Sequence, residues 1–550
     1  MPWVAAFINL LTEPLLGYCL AARKFALQAG IILLHHHQQQ QQLEIPVARE
    51  ETLDSLPTAI KQPMAPSMEL EAAQEKAVRA PTTGSSNGSG GGVISSKPKH
   101  RFVGVVIAMT GLPARGKSLV AHGLARRLNW NGESAKVMRV SDYRRKRHES
   151  YGSHELFRPD HEANSALRAL ALNDAMQDCS SWLAAGNTVA ILDATVVTRD
   201  QRAEVHEYFA QRLGYRLLFV ECVCQDAAQI ESNCREIIKH NTDYAGMEPN
   251  EAYEDLKIKI AHYEKIHQPM DEPEYPRIRI DTATMNISAY KVQGHIESNV
   301  LGYLGSVAIK PHTLYFSRHG ESEFNVLGKI GGDAVLSARG EKYAQALSAK
   351  INSMHIPDLR VFTSRLRRTI ATARGIEAPQ EHIAALNELY AGVCEGLSYE
   401  EMQEQYPQEF AWRDQDKLRY RYPWGESYVD TMQRVEPVIV ELQQANNVLT
   451  VSHQAILRCI IGYFLDKKPE ELPYMEVPLH TIIRVSSHGF CYKLELIGLG
   501  IECVNTTRHK PKNCSSNRSA DDALLTVPAH YDIPDPWRNP GNGPTLVQQH

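Results

Sequence analysis

Val103-Gly104-Val105-Val106-Ile107-Ala108-Met109-Thr110-Gly111-Leu112-Pro113-Ala114-Arg115-Gly116-Lys117-Ser118 is a largely apolar run, uncharged as far as Ala114, that ends in a glycine-rich loop. Val103 to Met109 predicts a strand buried on both faces. The loop reads G-x-x-x-x-G-K-S, and Leu119 to Leu128 beyond it has helical character. In that strand–loop–helix setting the glycines let backbone N–H groups wrap a polyphosphate and Lys117 neutralises the outer phosphates. Ser118 can hold Mg²⁺, and the helix N-terminus adds its positive dipole end. Working outward, Val189 to Leu192 and Leu217 to Val223 are further apolar runs, alternating with helical stretches such as Ala163 to Ala185. Strand, helix, strand predicts an α/β domain with a parallel sheet and helices on both faces. Asp193 closes the second of these runs, where an acid can bind the metal or take a proton from an acceptor hydroxyl. A helix cap is its plainer use. A phosphorylated acceptor would call for Arg and Lys on loops. Tyr143-Arg144-Arg145-Lys146-Arg147, Arg168, Arg199 and Arg202 all offer them, and spacing does not choose among them.

A second series of apolar runs begins at Thr313 to Phe316 and continues through Val361-Phe362 and Val448 to Val451, which predicts a second α/β domain. The boundary falls around Gly305 to Pro311. The first run leads into Ser317-Arg318-His319-Gly320-Glu321, where an imidazole can attack phosphorus while the adjacent guanidinium grips phosphate oxygens. The theme repeats in Ser452-His453-Gln454 and in Thr363-Ser364-Arg365-Leu366-Arg367-Arg368. Two histidines and two arginines, His319, His453, Arg318 and Arg368, at strand ends would make one anion pocket for a transferring phosphoryl group. The leaving alkoxide needs a proton. Glu388 in Leu386-Asn387-Glu388 is the favoured donor, with Glu321 as its rival.

The chain has 550 residues, 43% apolar and 22% charged, with a net charge of -5. Two domains plus tails is the expectation for that length, with no bias toward nucleic acid or a membrane and with small molecules as partners. The ten cysteines contain no paired C-x-x-C elements, which argues against a zinc site and for reduced thiols in the cytosol. Leu10 to Leu34 is apolar but broken by Glu13, Arg23, Lys24 and Gln28, a poor membrane span. Its readings are an unstructured leader, a targeting or surface helix, or, last, a true span. His35 to Gln42 and Pro57 to Pro98 are of low complexity and cannot offset their ordering entropy. The domains expected are therefore a leader at 1–100, a first domain at 101–308, a second at 309–505 and a disordered tail at 506–550.

From about Arg101 to about Val504 the chain resembles the bifunctional 6-phosphofructo-2-kinase/fructose-2,6-bisphosphatase family. The resemblance rests on Gly111 to Ser118, Tyr143-Arg144-Arg145, Phe157-Arg158-Pro159-Asp160 and Asp193-Ala194-Thr195. In the second half it rests on Arg318 to Glu321, Gly328 to Asp333, Ala391 to Glu395, Arg419 to Pro423 and His453-Gln454-Ala455. Val527 to Tyr531 looks like a family C-terminus. The resemblance implies a P-loop kinase domain followed by a histidine-phosphatase domain of phosphoglycerate-mutase-like fold. It also implies ATP and Mg²⁺ as cofactors, fructose 6-phosphate and fructose 2,6-bisphosphate as substrates, and a homodimer. In the kinase site Gly111, Leu112, Pro113, Ala114, Arg115, Gly116, Lys117, Ser118 and Leu119 would hold ATP with help from Asn233. Asp193 would act in catalysis with Cys224 nearby. Arg144, Arg168, Thr195, Arg202, Lys239, Lys259 and Tyr263 would contact fructose 6-phosphate. In the phosphatase site His319 would become phosphorylated and Glu388 would donate the proton. Arg318, Asn325, Gly331, Arg368 and His453 would hold the reacting end, and Tyr399, Arg413, Lys417, Tyr428, Gln454 and Arg458 the remaining sugar phosphate.

The kinase half departs from the family pattern: Val196-Val197-Thr198 follow Asp193-Ala194-Thr195, and Gln201 stands where a basic residue is usual. Lys259 replaces an arginine, and Lys239 is displaced. Lysine does not reproduce a bidentate arginine grip. A phosphatase-dominant enzyme with a regulatory nucleotide domain is therefore the second reading. A nucleotide-dependent scaffold using residues 1–34 on a membrane surface is a distant third.

Overall fold

The computed structural model describes residues 104–148, 151–308, 312–508 and 510. The leader expected at 1–100 and the tail residues 511–550, Val527 to Tyr531 included, lie outside the described residues.

The first sheet contains β1 (Val105–Thr110), β2 (Ala135–Arg139), β3 (Val189–Val196), β4 (Arg216–Val223), β5 (Arg277–Asp281) and β6 (Ile287–Tyr290), in the order β2-β3-β1-β4-β5-β6. The first five are parallel, and β6 pairs antiparallel with β5 at the edge. Because strand side chains alternate, Val105, Ile107 and Met109 enter one core with Val120, Leu124 and Leu128 of helix α1 (Lys117–Trp130). Val106 and Ala108 enter another with Leu172, Met176 and Leu183, which lie beyond helix α2 (Val140–Arg147) on helix α3 (Glu162–Ala184). Burial on both faces explains why β1 reads as an unbroken apolar run. Each such side chain withdrawn from water contributes about 1.5–3 kcal/mol. Helices α4 (Ala227–His240) and α5 (Pro249–Ile266) complete the walls of the site described below.

The second sheet contains β7 (Thr313–Arg318), β8 (Arg360–Thr363), β9 (Gln380–His382), β10 (Asn447–Ser452), β11 (Thr481–His488) and β12 (Cys491–Gly498), ordered β12-β11-β7-β10-β8-β9. Strands β7 to β10 are parallel, whereas β11 runs antiparallel to both β7 and β12. The wholly parallel reading is thus amended at one edge of each sheet. Along β12, Tyr492 and Leu494 pack against the core while Lys493 and Glu495 are exposed. A half-solvated, charged edge strand alternates instead of forming an apolar run, so a search for runs passes over it. Helices α6 (Ala338–Ser353), α7 (Arg367–Ala373), α8 (Tyr399–Gln405), α9 (Pro407–Gln415), α10 (Tyr428–Gln444) and α11 (Gln454–Phe464) cover this sheet or cap its open end.

Helix α1 serves both halves. Its Trp130 packs edge-on against Tyr463 of α11 at 5.4 Å between centroids, Arg127 pairs with Glu436 of α10, and His122 stacks on Phe490 of the β11–β12 hairpin at 4.1 Å. No helix among the described residues is long and apolar enough to cross a membrane.

Candidate active sites

Each sheet opens a cavity at the C-terminal ends of its parallel strands, where crevices form in open α/β sheets. The first, of about 770 Å³, is lined on one side by Pro113, Ala114, Gly116, Lys117, Ser118 and Leu119. Gly111, Ala114 and Gly116 all have positive φ (114°, 58° and 80°), which curls the loop. A Cβ at Gly111 would strike the Cys222 carbonyl oxygen, so only glycine fits there. Ala114 has no such freedom, and Asn233 Nδ2 of α4 donates to its carbonyl at 3.0 Å and pins it. Lys117 Nζ donates to the Leu112 carbonyl at 2.7 Å. Burial brings its pKa down to about 8, with Asp193 pulling it back up. Asp193 is buried with Oδ2 unpartnered among the described residues, an acceptor suited to a metal or a hydroxyl. Arg115 turns away to Pro113 and Glu264.

The opposite wall carries Arg144, Arg168, Thr195, Lys259 and Tyr263. Arg144 Nη2 and Arg145 Nε both donate to Asp243, at 2.6 and 2.9 Å. Burial raises the Asp243 pKa, yet the two guanidinium bonds outweigh it and hold the carboxylate below its ordinary range. Arg144 Nη1 is buried without a partner among the described residues. Lys259 Nζ sits 3.9 Å from the Phe157 ring centroid, and burial lowers its pKa to about 8 against the pull of Asp243. Arg168 is held by the Leu156 carbonyl at 2.6 Å and Ser165 Oγ at 2.8 Å.

Of the residues expected at this site, Gly111, Leu112 and Arg115 of the loop do not line the cavity, and neither do Arg202, Cys224 and Lys239. Arg202 is buried against Glu272 (2.7 Å) and the carbonyls of Gln268 and Pro269. Cys224 is buried with its sulfur toward the Asp226 carbonyl at 3.7 Å. Lys239 is exposed: on α4 it is Asn233, Glu236, Ile237 and His240, three and four residues apart, that face the cavity, and Lys239 points about 100° from His240. Gln201 does reach the cavity, but its amide oxygen accepts from the Val197 and Thr198 N–H groups and so caps its own helix. Asp243, which organises the arginine pair, carried no signal beyond its place next to a displaced lysine.

The second cavity, of about 630 Å³, holds Arg318, His319, Arg368 and Glu388 at one end. His319 Nδ1 lies 2.7 Å from the Gly320 carbonyl, which can only accept; Nδ1 therefore carries the proton and Nε2 keeps its lone pair. Burial, then Arg368 and Arg318, hold the His319 pKa well below the usual imidazole range, so the ring is neutral. His453 lies beside it, with ring centroids 5.1 Å apart, Nε2 on Ser364 Oγ at 2.8 Å and Nδ1 buried without a partner. Its pKa is lowered in the same way, first by burial and then by Arg368. Arg318 gives Nη1 to the Val477 carbonyl and to Thr506 Oγ1, and leaves Nε unpartnered. Arg368 Nη1 donates to the Gly332 carbonyl at 2.6 Å. The two candidate acids part company here. Glu321 is enclosed by Ser337, Arg339 and the Val504 N–H, away from the cavity, whereas Glu388 lines it and accepts from Leu389, Gln454 and Ala455 N–H groups at the start of α11.

The other end of this cavity is cationic. Arg413 donates to the Tyr422 and Tyr399 hydroxyls at 2.6 and 3.1 Å, Arg458 donates to Tyr428 OH at 3.0 Å, and Lys417 donates to the Pro473 carbonyl at 3.0 Å. Burial first, then Arg458 and Arg413, push the Lys417 pKa well down. Asn325, Gly331, Tyr399, Tyr428 and Gln454 also line this cavity. Thr506, Thr507 and Arg508, expected in a disordered tail, also line the cavity; Arg508 covers the Tyr399 ring at 3.6 Å from its centroid. Their composition gave no hint of this, because the chain returns to the cavity only through β11 and β12.

Comparison with known proteins bears on both halves. A family model described as 6-phosphofructo-2-kinase matches residues 94–311, and one described as histidine phosphatase superfamily (branch 1) matches residues 314–499. A 6-phosphofructo-2-kinase/fructose-2,6-bisphosphatase from Gallus gallus is 44% identical over 441 residues, covering 80% of this chain and 94% of its own. The corresponding protein of Aquarana catesbeiana is 43% identical with the same coverage, and form 1 from Homo sapiens is 43% identical, covering 80% and 93%. Among solved structures, the alpha-ribazole phosphatase of Shigella flexneri matches at 27% identity with a TM-score of 0.32, over 35% of this chain and all of its own.

Proposed function

The chain belongs to the bifunctional 6-phosphofructo-2-kinase/fructose-2,6-bisphosphatase family, and from that premise we propose how its two cavities divide the work of making and hydrolysing fructose 2,6-bisphosphate. In the first, the curled loop from Gly111 to Ser118 holds the ATP phosphates through backbone N–H groups and Lys117. Ser118 and the unpartnered Asp193 carboxylate fit a Mg²⁺ carried in with the nucleotide, which would neutralise phosphate charge. Fructose 6-phosphate lies against Arg144, Arg168, Lys259 and Tyr263, and Asp193 takes the proton from its 2-hydroxyl as the γ-phosphoryl group transfers in line.

In the second cavity His319 Nε2 attacks the 2-phosphate of fructose 2,6-bisphosphate. The phosphorus–oxygen bond to the sugar breaks, Glu388 protonates the departing oxygen, and water then releases phosphate from the histidine. Arg318, Arg368 and His453 surround the transferring group, while Arg413, Lys417 and Arg458 hold the 6-phosphate. A single observation carries this reading: one cavity joins a neutral, tautomer-locked histidine flanked by arginines to a separate set of buried cations under-supplied with acids. The free thiols of all eight described cysteines fit the cytosol.

The test is a paired assay. Lys117→Ala should abolish synthesis from MgATP and fructose 6-phosphate and spare hydrolysis, and His319→Ala should do the reverse. Synthesis surviving Lys117→Ala, or hydrolysis surviving His319→Ala, would defeat the assignment. The departures at Val196, Gln201 and Lys259 favour a kinase weaker than the phosphatase, a ratio the same assay reads.

A further inference from the structure

The first cavity does not end at the phosphate loop; it continues along α1 into the seam between the two sheets, where Arg126, Gln443 and Tyr492 line it. Arg126 is 9% exposed, yet it forms no ion pair and no hydrogen bond among the described residues, and its Nε is fully enclosed. Its guanidinium lies 5.0 Å from the Tyr492 ring centroid and 5.6 Å from that of Tyr463. Its neighbour on the helix, Arg127, has taken Glu436, and Asp466 attracts Arg126 without pairing with it. Ring faces offset part of the cost of burying a guanidinium but satisfy none of its five N–H groups. A buried charge without an acceptor is costly, and proteins keep one where something binds it.

A second orphan lies nearby. Gln443 is 2% exposed and gives Nε2 to Tyr463 OH at 3.0 Å, on the residue whose ring lies under Arg126, while its Oε1 is buried with no partner among the described residues. The seam therefore offers a cation short of an acceptor and an acceptor short of a donor. A carboxylate at neutral pH has no donor for Gln443. A phosphate has both, with charged oxygens for Arg126 and a hydroxyl for the amide oxygen.

We propose that the seam between the two domains binds a phosphate group, free or as a small ester, through Arg126 with Gln443 as its second contact. The site is separate from the nucleotide's. Arg126 is nine residues beyond Lys117 on α1, about 13.5 Å along the axis, farther than one phosphate can bridge. It joins the helix that follows the phosphate loop to α10, α11 and the β11–β12 hairpin.

Equilibrium dialysis of labelled inorganic phosphate against the full-length chain tests this, with the first active site filled by a non-hydrolysable ATP analogue and fructose 6-phosphate and the second by a non-hydrolysable phosphonate analogue of fructose 2,6-bisphosphate, which also covers the 2-phosphate pocket at His319. One bound phosphate per chain is expected. Arg126→Met, which keeps the stem on the tyrosine rings, should abolish it, and Arg126→Lys should weaken it tenfold or more with the stoichiometry retained. Should the methionine variant fold poorly, the lysine variant carries the comparison. Displacement of the label by glycerol phosphate assigns the site to esters, and failure to displace assigns it to free phosphate. No phosphate bound to the filled wild-type chain, or undiminished binding in Arg126→Met, would overturn the proposal.

Discussion

Gly320, between His319 and Glu321, is packed against the first turn of α6. A Cβ there would lie 2.5 Å from the Gly340 carbonyl oxygen and 3.0 Å from the Gly340 carbonyl carbon and Cα, all backbone atoms that cannot swing aside. Ordinary contact begins at 3.4 Å, so Gly320→Ala requires a shift of 3.4 − 2.5 = 0.9 Å. That shift falls on the residue whose carbonyl holds His319 Nδ1. Displacing a nucleophile by about 1 Å costs about 100-fold in rate, or about 2.7 kcal/mol of transition-state stabilisation. The overpacked backbone adds about 1–3 kcal/mol of destabilisation. Gly340→Ala drives the same contact from the helix side, because its Cβ would strike the Glu321 carbonyl oxygen and approach the carbon to 3.0 Å. Glycine to alanine inside a helix normally stabilises by about 1 kcal/mol, so a loss at Gly340 isolates the steric term. Both variants should lose about 100-fold in kcat/KM for fructose 2,6-bisphosphate hydrolysis while the kinase, on the other sheet, keeps its rate. Hydrolysis within threefold of wild type in folded Gly320→Ala and Gly340→Ala chains would refute the claim that this backbone contact sets the position of the histidine.

Glu388→Gln should lower hydrolytic kcat by about 10²–10⁴-fold and leave synthesis untouched; a rate near wild type would return the acid's role to another group. Lys259 loses its charge as pH rises through about 8, so the KM for fructose 6-phosphate should climb across that range in the wild type. Lys259→Arg should lower that KM and flatten its pH profile, and unchanged profiles in the two chains would remove Lys259 from the acceptor site. His319 and His453 stay neutral in the native state well below the ordinary imidazole pKa. As pH falls below about 6.5 the unfolded chain binds protons that the native chain refuses, so their contribution is present above that pH and lost below it. Thermal midpoints of the wild type should therefore fall faster between pH 7 and pH 5 than those of a His319→Gln/His453→Asn chain. Parallel curves would count against the neutral pair.

Much of the fold was legible because its parallel strands are buried on both faces. β1, β3, β4, β7, β8 and β10 stand out as apolar runs, and the catalytic motifs follow directly from their ends. β2, β5, β6, β9, β11 and β12 were not legible, because they are short or carry polar residues among the apolar ones: Lys136 on β2, Arg279 on β5, Glu381 on β9, Arg484 on β11, and Lys493 and Glu495 on the half-solvated edge strand β12. Within the sites, residues whose role is fixed by local backbone could be placed from sequence, as with Lys117 and His319. Residues whose direction depends on tertiary packing could not. Arg202 looked like a substrate ligand but pairs with Glu272, seventy residues away, and Lys239 lies on the outward face of its helix. Asp243, Arg508 and the orphaned Arg126 gain their meaning only from what lies opposite them.

In this mechanism His319 carries the phosphoryl group. Rapid quench of the full-length chain with fructose 2,6-bisphosphate labelled in the 2-phosphate, followed by peptide mapping under alkaline conditions, tests it most directly. Acid-labile label on the peptide containing His319, present in wild type and Lys117→Ala and absent from His319→Ala, is the predicted result. Label on another residue, or turnover with no phosphoenzyme in any variant, would contradict it.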